Sequence, residues 1–405
     1  MSDVPVPTID VFDLGSKGLQ HRGLRRANER AVLTVVGFNP GLSNAEIARM
    51  SGLAPQTVSA ILNDVEAVGL ITRGEVLRGR RGQPATPIFL KADGAYSIGV
   101  EIGWRHADIV AIDLNGSLVA HRRISYLEAD LADLPGQIGV LVQQMLWDWP
   151  QDRRERLVDI GIGMPGSIHA AGWPLASAPG SKIGPSPAEF AAELERHTGL
   201  VATLFNDGNA ACWAEFIARP PPRPESFIYL LVSTYLAAGL IGEGRLWQGP
   251  TGHSGDLGAM LVDRNETGPL AAHAIGSVTA LLERLNAAGF ALDLADIDDW
   301  DWEALEPAVA TWLAECGEAL AMVIFNTHTV VETGLVVLDT ILPANLTARL
   351  VEQVVAQFER LPSRGDIEIV AGSLGRLAPA LGAAELPLYR RYFSRMLLEK
   401  SDDGR

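Results

Sequence analysis

The side chains of this chain best suited to contact another molecule lie near its amino terminus and are polar or basic. Four short polar residues can bond to base edges or phosphate groups, namely Gln56, Thr57, Ser59 and Asn63. An arginine-rich segment follows, whose cationic members are Arg78, Arg80 and Arg81. The Arg-Arg-Gly-x-Pro pattern at 80–84 favours a thin, extended chain, which can insert guanidinium groups into a narrow minor groove. Both sets predict contact with double-stranded DNA.

The surrounding sequence predicts three helices that would position these side chains. Apolar residues at a period near 3.6 predict a helix over 22–36. Ser43 and Glu46 have the spacing of a capping box, so a second helix is expected over 44–50. A third helix over 55–69 begins with proline, which is favoured in the first turn. The four polar residues are predicted to point outward from this third helix.

Two short strands complete the amino-terminal module. They are predicted over 70–72 and 86–90, on either side of the arginine-rich segment. Two short helices with a glycine-containing corner, followed by a basic hairpin, have the order of a winged helix-turn-helix. In that arrangement the recognition helix enters the major groove and the wing reaches the minor groove. An αα-hairpin in a helical bundle, with a solvated basic loop, is the alternative interpretation.

The charge distribution separates this module from the rest of the chain. Residues 1–92 carry 11 basic and 8 acidic side chains, whereas the remainder carries 22 basic and 41 acidic ones. A mildly basic head on a strongly acidic body suits a polyanion-binding domain attached to a domain with another task. We predict a flexible arm over 1–18, a DNA-binding domain over 19–92 and a body over 93–405. The proline-rich stretch 218–225 is predicted to mark a boundary between two lobes.

Composition excludes several other classes of protein. With 405 residues, 47 % hydrophobic and 20 % charged, the chain is globular rather than disordered or fibrous. Two cysteines, Cys212 and Cys316, are too few for a disulfide scaffold or a multi-cysteine metal site. The first residues lack the features of a secretory signal, and no apolar run reaches the length of a membrane span. We therefore expect a cytoplasmic protein with no membrane partner.

Strands alternate with helices twice along the body, which predicts two α/β lobes around a cleft. A buried strand over 97–103 is predicted to continue through 107–114, and Asn115 with Gly116 then predicts a hairpin turn. Another buried strand is expected over 157–164 and a late one over 330–338.

Seven segments, in order along 20–400, carry a resemblance to a known family. They are GRRGQP in the wing, IGVEIG, GIGMPGSI, FNDGNAACWAE, LWQGPTGHSGDLG, IVAGSLG and LGAAELPLYRRYF. The chain resembles the ROK family (repressors, open reading frames and kinases), and specifically its transcription-factor branch. The resemblance implies a winged helix-turn-helix joined to an α/β, two-lobed, sugar-kinase-like body of the actin-like ATPase fold.

The family's kinases hold phosphate on two turns that are altered in this sequence. The first turn reads Glu101-Ile102-Gly103-Trp104-Arg105, with glutamate in place of aspartate and no following threonine. The second, over 233–239, carries Tyr235 and Ala237 where phosphate would need bare backbone.

Two further positions bear on kinase chemistry. A glycine-rich turn over 331–334 is expected to place the Glu332 carboxylate where nucleotide would bind. Asp207 alone keeps the position of the base that deprotonates the sugar hydroxyl. We therefore expect no kinase activity and no cofactor.

Sugar recognition is a separate expectation that the resemblance implies. It places sugar hydroxyls against Asn206, Asp207 and Asp256, and carboxylates and amides suit hydroxyls that both donate and accept. Asp256 is one methylene shorter than the family's glutamate, and Ala259 replaces the usual histidine, for which His253 could compensate. The alternative interpretations are a turn cap for Asn206 and Asp207 and a loop histidine for His253.

Many members of the family bind a structural zinc ion through that histidine and a cysteine cluster. The corresponding segment here, 259–279, contains no cysteine, and its one candidate ligand is His273. A single histidine cannot build a tetrahedral site, so we expect no metal.

The sequence therefore predicts a DNA-binding transcriptional regulator, a repressor, that responds to a sugar or sugar derivative in a non-catalytic, kinase-like cleft. Its expected partners are double-stranded operator DNA, the sugar effector and further copies of itself in a homodimer or homotetramer. Two alternatives remain open at this point. One is an ATP-dependent sugar kinase with an accessory DNA-binding domain, and the other is a DNA-binding dimer without a ligand.

Overall fold

The computed structural model describes residues 21–76, 86–126, 130–166, 185–252, 254–265, 268–362 and 365–393. These residues divide into two compact units. The amino-terminal unit runs to Phe89 and includes Tyr392 and Phe393, and the body covers Leu90–Arg391.

The amino-terminal unit has the predicted order of elements. They are α1 (His21–Phe38), α2 (Asn44–Ser51), α3 (Pro55–Ala67), β1 (Ile71–Arg73) and β2 (Ile88–Leu90). The strands β1 and β2 pair with each other, and Leu42 forms an antiparallel bridge with Ile88. Three helices with a small sheet of this kind form a winged helix-turn-helix.

Local sequence signals position α2 and α3 as expected. The capping box is confirmed, since the Ser43 side chain accepts from the backbone N–H of Glu46, whose carboxylate accepts from the N–H of Ser43. Gly52 ends α2 in the left-handed conformation, with φ of 67°, which glycine adopts without steric cost. The inward face of α3 is fully apolar and buried, and it consists of Val58, Ile61, Leu62 and Val65.

The body contains twelve described strands. They are β3 (Tyr96–Ile102), β4 (His106–Asp113), β5 (Leu118–Ser125), β6 (Leu157–Met164), β7 (Ala202–Asn206), β8 (Phe227–Val232), β9 (Leu236–Gly242), β10 (Arg245–Leu246), β11 (Leu261–Asn265), β12 (Gly268–Ala271), β13 (Leu335–Thr340) and β14 (Glu368–Ala371). One five-stranded sheet, in the order β5-β4-β3-β6-β7, forms the first lobe. A second, in the order β10-β9-β8-β13-β14, forms the second lobe.

Helices cover these sheets. They are α4 (Leu134–Trp147), α5 (Gln151–Arg154), α6 (Pro187–Thr198), α7 (Asp207–Ala218), α8 (His273–Gly276), α9 (Val278–Ala287), α10 (Glu306–Val330), α11 (Ala344–Phe358) and α12 (Ala378–Tyr392). Separate apolar clusters lie in the two lobes, and a third joins α7 and α12 to the second sheet. Two α/β lobes are thus present, in agreement with the predicted fold class.

One strand prediction is wrong. The strand over 97–103 does not continue through 107–114, because the chain reverses between them and β3 pairs antiparallel with β4. The backbone N–H of Gly103 donates to the carbonyl of His106 at 2.8 Å and closes the turn. The late strand also begins later than predicted, at Leu335, because α10 extends to Val330.

Helix α10 is the one described helix long and apolar enough, by length and composition, to cross a bilayer. More than half of its apolar window is buried inside the protein. Trp312, Leu320 and Ile324 from this helix are fully buried in the core of the second lobe. This packing is that of a core helix.

The two lobes approach each other closely where α7 meets β9. A Cβ on Gly208, in the first turn of α7, would collide with the backbone of Ala238. Only glycine permits this distance between a helix and a strand. The approach brings the carboxyl end of β7 beside the beginning of β9, and a cleft lies at this point.

Candidate functional site

The predicted DNA-contacting residues that the structure describes lie on α3. Gln56, Thr57 and Asn63 are exposed. The Asn63 side chain accepts a hydrogen bond of 2.9 Å from Arg73 on β1. Ser59 differs from the expected outward orientation, since it is half-buried and its hydroxyl accepts a 2.8 Å bond from Asn44 on α2.

The amino terminus of α3 has no side-chain cap. Its N-cap residue is Ala54, whose side chain accepts no hydrogen bond from the first turn, and Pro55 follows. Exposed N–H groups and the helix dipole at such an end favour an anion. The three wing arginines, Arg78, Arg80 and Arg81, lie outside the described residues.

The cleft of the body is small and mixed in character, with a volume of about 190 Å³. It is lined by Trp104, Pro165, Gly166, Asn206, Asp207, Ser233, Tyr235, Leu236, Ala237, Ala238, Gly255, Asp256 and His273. The structure thus brings together three of the four predicted sugar-binding residues. The fourth, His253, lies outside the described residues.

Asn206 and Asp207 stand where β7 ends and α7 begins. The side-chain Oδ1 of Asn206 caps α7 by accepting from the backbone N–H of Asn209 at 3.1 Å, so the predicted cap is present. The Asn206 amide also donates to Asp207 Oδ1 at 3.1 Å, and the Gly208 N–H donates to the same oxygen at 2.9 Å. These hydrogen bonds hold the side chains of Asn206 and Asp207 in place at the cleft.

Burial raises the pKa of Asp207 to about 7, and the nearby Glu101 carboxylate adds to the rise. The backbone N–H of Gly208 opposes it by stabilising the ionised form. A carboxyl group with such a pKa changes charge near neutrality. It can therefore accept from, or donate to, a hydroxyl group in the cleft.

The loop that carries Asp256 is tied to α7. Asn209 is fully buried and its amide donates to the carbonyl of Gly252 at 3.1 Å. The Asp256 side chain is 59 % exposed and faces Nε2 of His273, with Oδ1 at 3.5 Å from that nitrogen. Asp256 thus lies at the mouth of the cleft rather than at its floor.

His273 is a site residue that the sequence analysis considered only as a zinc ligand. Its side chain is 12 % exposed, and a Cβ on Gly258 would collide with its ring. Nδ1 accepts a 3.1 Å hydrogen bond from the backbone N–H of Leu236. This bond assigns the proton of the neutral ring to Nε2, which faces Asp256.

Two aromatic side chains close another side of the cleft. Trp104 follows β3 and meets Tyr235 edge to face, with ring centroids 5.3 Å apart. Tyr235 in turn meets His273 at 6.0 Å between ring centroids. A tight turn presents Tyr235, because the hydroxyl of Ser233 donates to the Tyr235 carbonyl at 2.7 Å.

Within the described residues, one group has donors suited to a metal ion: Glu101, His106 and Asp108. Asp108 is fully buried and already has a cation as partner, since Arg123 donates to its two oxygens at 2.9 and 2.5 Å. Burial alone would raise the pKa of Asp108, but the Arg123 guanidinium overcomes this and holds it below the ordinary range. The Asp108 carboxylate is therefore already satisfied by arginine.

The expectation for Glu332 is wrong. Residues 331–334 precede β13, and the Thr333 hydroxyl donates to the carbonyl of Ser226 just before β8. Because β8 and β13 are parallel, this segment lies at the opposite end of the sheet from Ser233 and the cleft. In the sequence, residues 331–334 simply follow a long helix. That order does not show at which end of the sheet the segment lies.

Fold and site together define a class of protein: a winged helix-turn-helix on the same chain as a two-lobed, sugar-kinase-like body with a cleft lined by carboxylate and amide groups. The ROK family model matches residues 97–389, and a MarR family model matches residues 22–82. The chain belongs to the ROK family, and the prediction of a ROK transcriptional regulator is confirmed.

Two curated relatives are themselves regulators. The chain is 25 % identical to the xylose repressor of Bacillus subtilis, covering 90 % of this chain and 95 % of that protein. It is 23 % identical to the DNA-binding transcriptional dual regulator NagC of Escherichia coli, covering 59 % of this chain and 58 % of that protein.

Two solved structures support the fold. A ROK family transcriptional regulator, a homolog of the E. coli MLC protein, has a TM-score of 0.68 at 19 % identity, covering 94 % of this chain and all of that one. The ROK hexokinase of Thermus thermophilus has a TM-score of 0.53 at 20 % identity, covering 73 % and 98 %. The body therefore has a fold that regulators and sugar kinases share, while the named relatives are regulators.

Proposed function

We propose that this protein is a DNA-binding transcriptional repressor that responds to a sugar bound in the cleft of its body. The observation that carries the proposal is the outward face of α3, with Gln56 and Thr57 exposed beside a helix end that has no side-chain cap. That face belongs to the same chain as a cleft lined by carboxylate and amide groups.

On the DNA side, α3 enters a major groove and the segment that contains Arg78, Arg80 and Arg81 reaches an adjacent minor groove. The α3 side chains Gln56, Thr57, Ser59 and Asn63 contact bases or phosphates there. The acidic body repels DNA, so contact is confined to the basic head. Two or four copies of the chain bind a pseudo-palindromic operator, since the symmetry of the protein matches that of the site.

On the effector side, the cleft binds and does not catalyse. Asn206, Asp207 and Asp256 contact hydroxyl groups, and His253, three residues before Asp256 in the sequence, is the fourth candidate. Tyr235 and Trp104 occupy the turns at which the family's kinases hold phosphate. A base without a phosphate site has no phosphoryl transfer to perform. The named relatives, a xylose repressor and the regulator NagC, support this assignment.

The DNA-binding half is tested by titrating the full chain against fragments of its own promoter region at several salt concentrations. Changing Arg80 and Arg81 together to alanine should weaken binding and reduce the slope of log K against log salt by about 2, because two phosphate-neutralising charges are lost. A matched double variant, Arg122→Ala with Arg360→Ala, removes two exposed arginines of the body and should leave the slope unchanged. An unchanged slope in the wing variant would exclude the wing from the interface.

The sensing half is tested by measuring operator release and ADP formation with the same panel of sugars. We expect one sugar to change operator affinity and none to support ATP turnover. Turnover that disappears in Asp207→Asn would identify a kinase instead. Operator binding without a response to any sugar would identify a DNA-binding dimer without a ligand.

A further inference from the structure

The outer face of helix α4, on the first lobe, has exposed apolar side chains and no charge. The 14 residues of this helix, Leu134–Trp147, include no acidic, basic or histidine side chain. Trp147 is 78 % exposed, the highest value among the tryptophans that the structure describes, and Val140 is 56 % exposed. Residues 93–405 carry 41 acidic and 22 basic side chains, so an uncharged, exposed helix face is unusual on this body. A face of this composition is typical of a surface that another protein chain covers.

A groove of about 460 Å³ lies beside this face, between α4 and α6. Its lining includes Gly136, Gly139, Val140 and Trp147 of α4 and His197 of α6. A Cβ on Gly139 would collide with the His197 side chain, so the two helices pack closely at this point. Since glycine has no side chain, α4 leaves room at residues 136 and 139 for a side chain from outside.

The exposed residues of α4 have the spacing of a coiled-coil seam. Gln137, Val140, Gln144 and Trp147 are all exposed, and they follow one another at intervals of three, four and three residues. This spacing places the four side chains in one stripe along the helix, on which a second helix can pack. The stripe is symmetrical about the level of residue 142.

Because of this symmetry, the stripe is complementary to a second copy of itself. When two α4 helices run antiparallel across a two-fold axis at the level of residue 142, Val140 of one faces Gln144 of the other. Trp147 likewise faces Gln137, on both sides of the axis. The indole then reaches the groove next to Gly136, where the second copy leaves room for it.

Charge favours a second copy of this chain as the occupant of the stripe. Two copies, each with a formal charge of −16, repel each other, so close contact between them requires faces without charge. A partner of opposite charge would be recognised by acidic side chains, and α4 has none. Asp133 and Asp148 adjoin the helix only at its two ends.

We propose that α4 is a self-association surface, in which the α4 helices of two copies pack antiparallel and the Trp147 indole of each lies in the groove of the other. This inference rests on the proposed binding of the operator by two or four copies, and it assigns one interface between them. One helix of 14 residues from each copy buries less than the roughly 800 Å² per partner of a standard interface. The association step is therefore expected to be weak, with a dissociation constant of about 1–100 µM.

Sedimentation of the full chain without DNA, over about 1–100 µM, measures this step. Trp147→Glu should weaken it at least about tenfold, because a central aromatic residue carries much of the energy of an interface and each copy gains a repelling charge. The matched control is Trp247→Glu, since Trp247 is 55 % exposed and follows β10 in the second lobe. This control should associate as the unchanged protein does.

Disulfide cross-linking tests the antiparallel register independently. Val140→Cys and Gln144→Cys are made as separate variants, and the native Cys212 and Cys316 do not compete because both are buried. Since residue 140 of one copy faces residue 144 of the other, a mixture of the two variants should form cross-linked dimers, whereas either variant alone should form far fewer. A parallel arrangement would instead cross-link each variant with itself.

The outcomes separate this inference from the proposed function. If Trp147→Glu associates like Trp247→Glu, or if the mixture cross-links no better than the separate variants, this inference is wrong and the copies bind the operator through another interface. The same result would show that any partner of α4 is a different protein. If the unchanged chain remains a monomer and binds its operator as one, the proposed assembly and this inference are both wrong. Near-ultraviolet circular dichroism shows whether each variant is folded.

Discussion

Asp207 offers a direct test of how the cleft is built. Its pKa in the folded protein is raised to about 7, whereas a carboxyl group in an unfolded chain titrates near 4. Between these values the folded state binds the proton more tightly than the unfolded state. This contribution to stability is complete below about pH 4 and is lost as the pH rises toward 7. The shift corresponds to about 4 kcal/mol at most, at 1.36 kcal/mol per pKa unit.

The Asp207→Asn variant should remove this dependence. Asparagine keeps an oxygen that can accept from the N–H of Gly208, as the carboxylate does now. The variant should therefore be more stable than the unchanged protein at pH 8, by about 1–4 kcal/mol since the cleft is partly open to water, and equally stable near pH 4.

Urea unfolding followed by tryptophan fluorescence is the appropriate measurement. All nine tryptophans lie beyond residue 92, so the signal reports the body and not the amino-terminal unit. Asp299→Asn is the matched control, because Asp299 is exposed. A variant that follows the same pH dependence as the unchanged protein, or that is less stable at pH 8, would refute the buried, charge-crowded position of Asp207.

Three further substitutions probe local structure. Ser43→Ala removes the capping box of α2 and should destabilise the amino-terminal unit by about 1 kcal/mol, measured by amide exchange in α2. Leu62→Ala removes a fully buried side chain between α3 and its neighbours and should cost about 2–5 kcal/mol, so operator binding should fail at a lower temperature. Gly258→Ala places a Cβ against the His273 ring and should weaken the sugar response while operator binding in the absence of sugar stays unchanged. If the response is unchanged in Gly258→Ala, His273 does not contact the sugar.

The amino-terminal unit was predictable because its signals are local. The capping box at Ser43, the proline at the start of α3 and the glycine at residue 52 each act within a few residues. The error at β3 and β4 has the opposite cause. Both segments are buried almost throughout and do not alternate between an inner and an outer face, so periodicity alone did not show the reversal at Gly103.

The role of His273 could not be read from spacing along the chain. It is separated from Asp256 by the hairpin of β11 and β12, whose antiparallel pairing brings Ala271 opposite Leu261. The backbone N–H of Ala272 then donates to the carbonyl of Met260 at 2.8 Å, which returns the chain to the 256–259 turn. A prediction of the hairpin between Ala259 and His273 would have placed the imidazole beside Ala259. Ala259 is the position at which the family has a histidine.

The environment of Asp207 bears on whether the cleft senses or catalyses. A pKa near 7 suits a general base as well as it suits a hydroxyl-binding carboxyl group, so Asp207 alone does not distinguish the two. The distinction lies at Trp104 and Tyr235, because phosphoryl transfer needs backbone donors and cations around the transferred group. Aromatic rings supply neither, and the neighbouring carboxylates oppose the charge that would develop. The two aromatic side chains therefore support the proposal that the cleft binds a sugar without transferring phosphate to it.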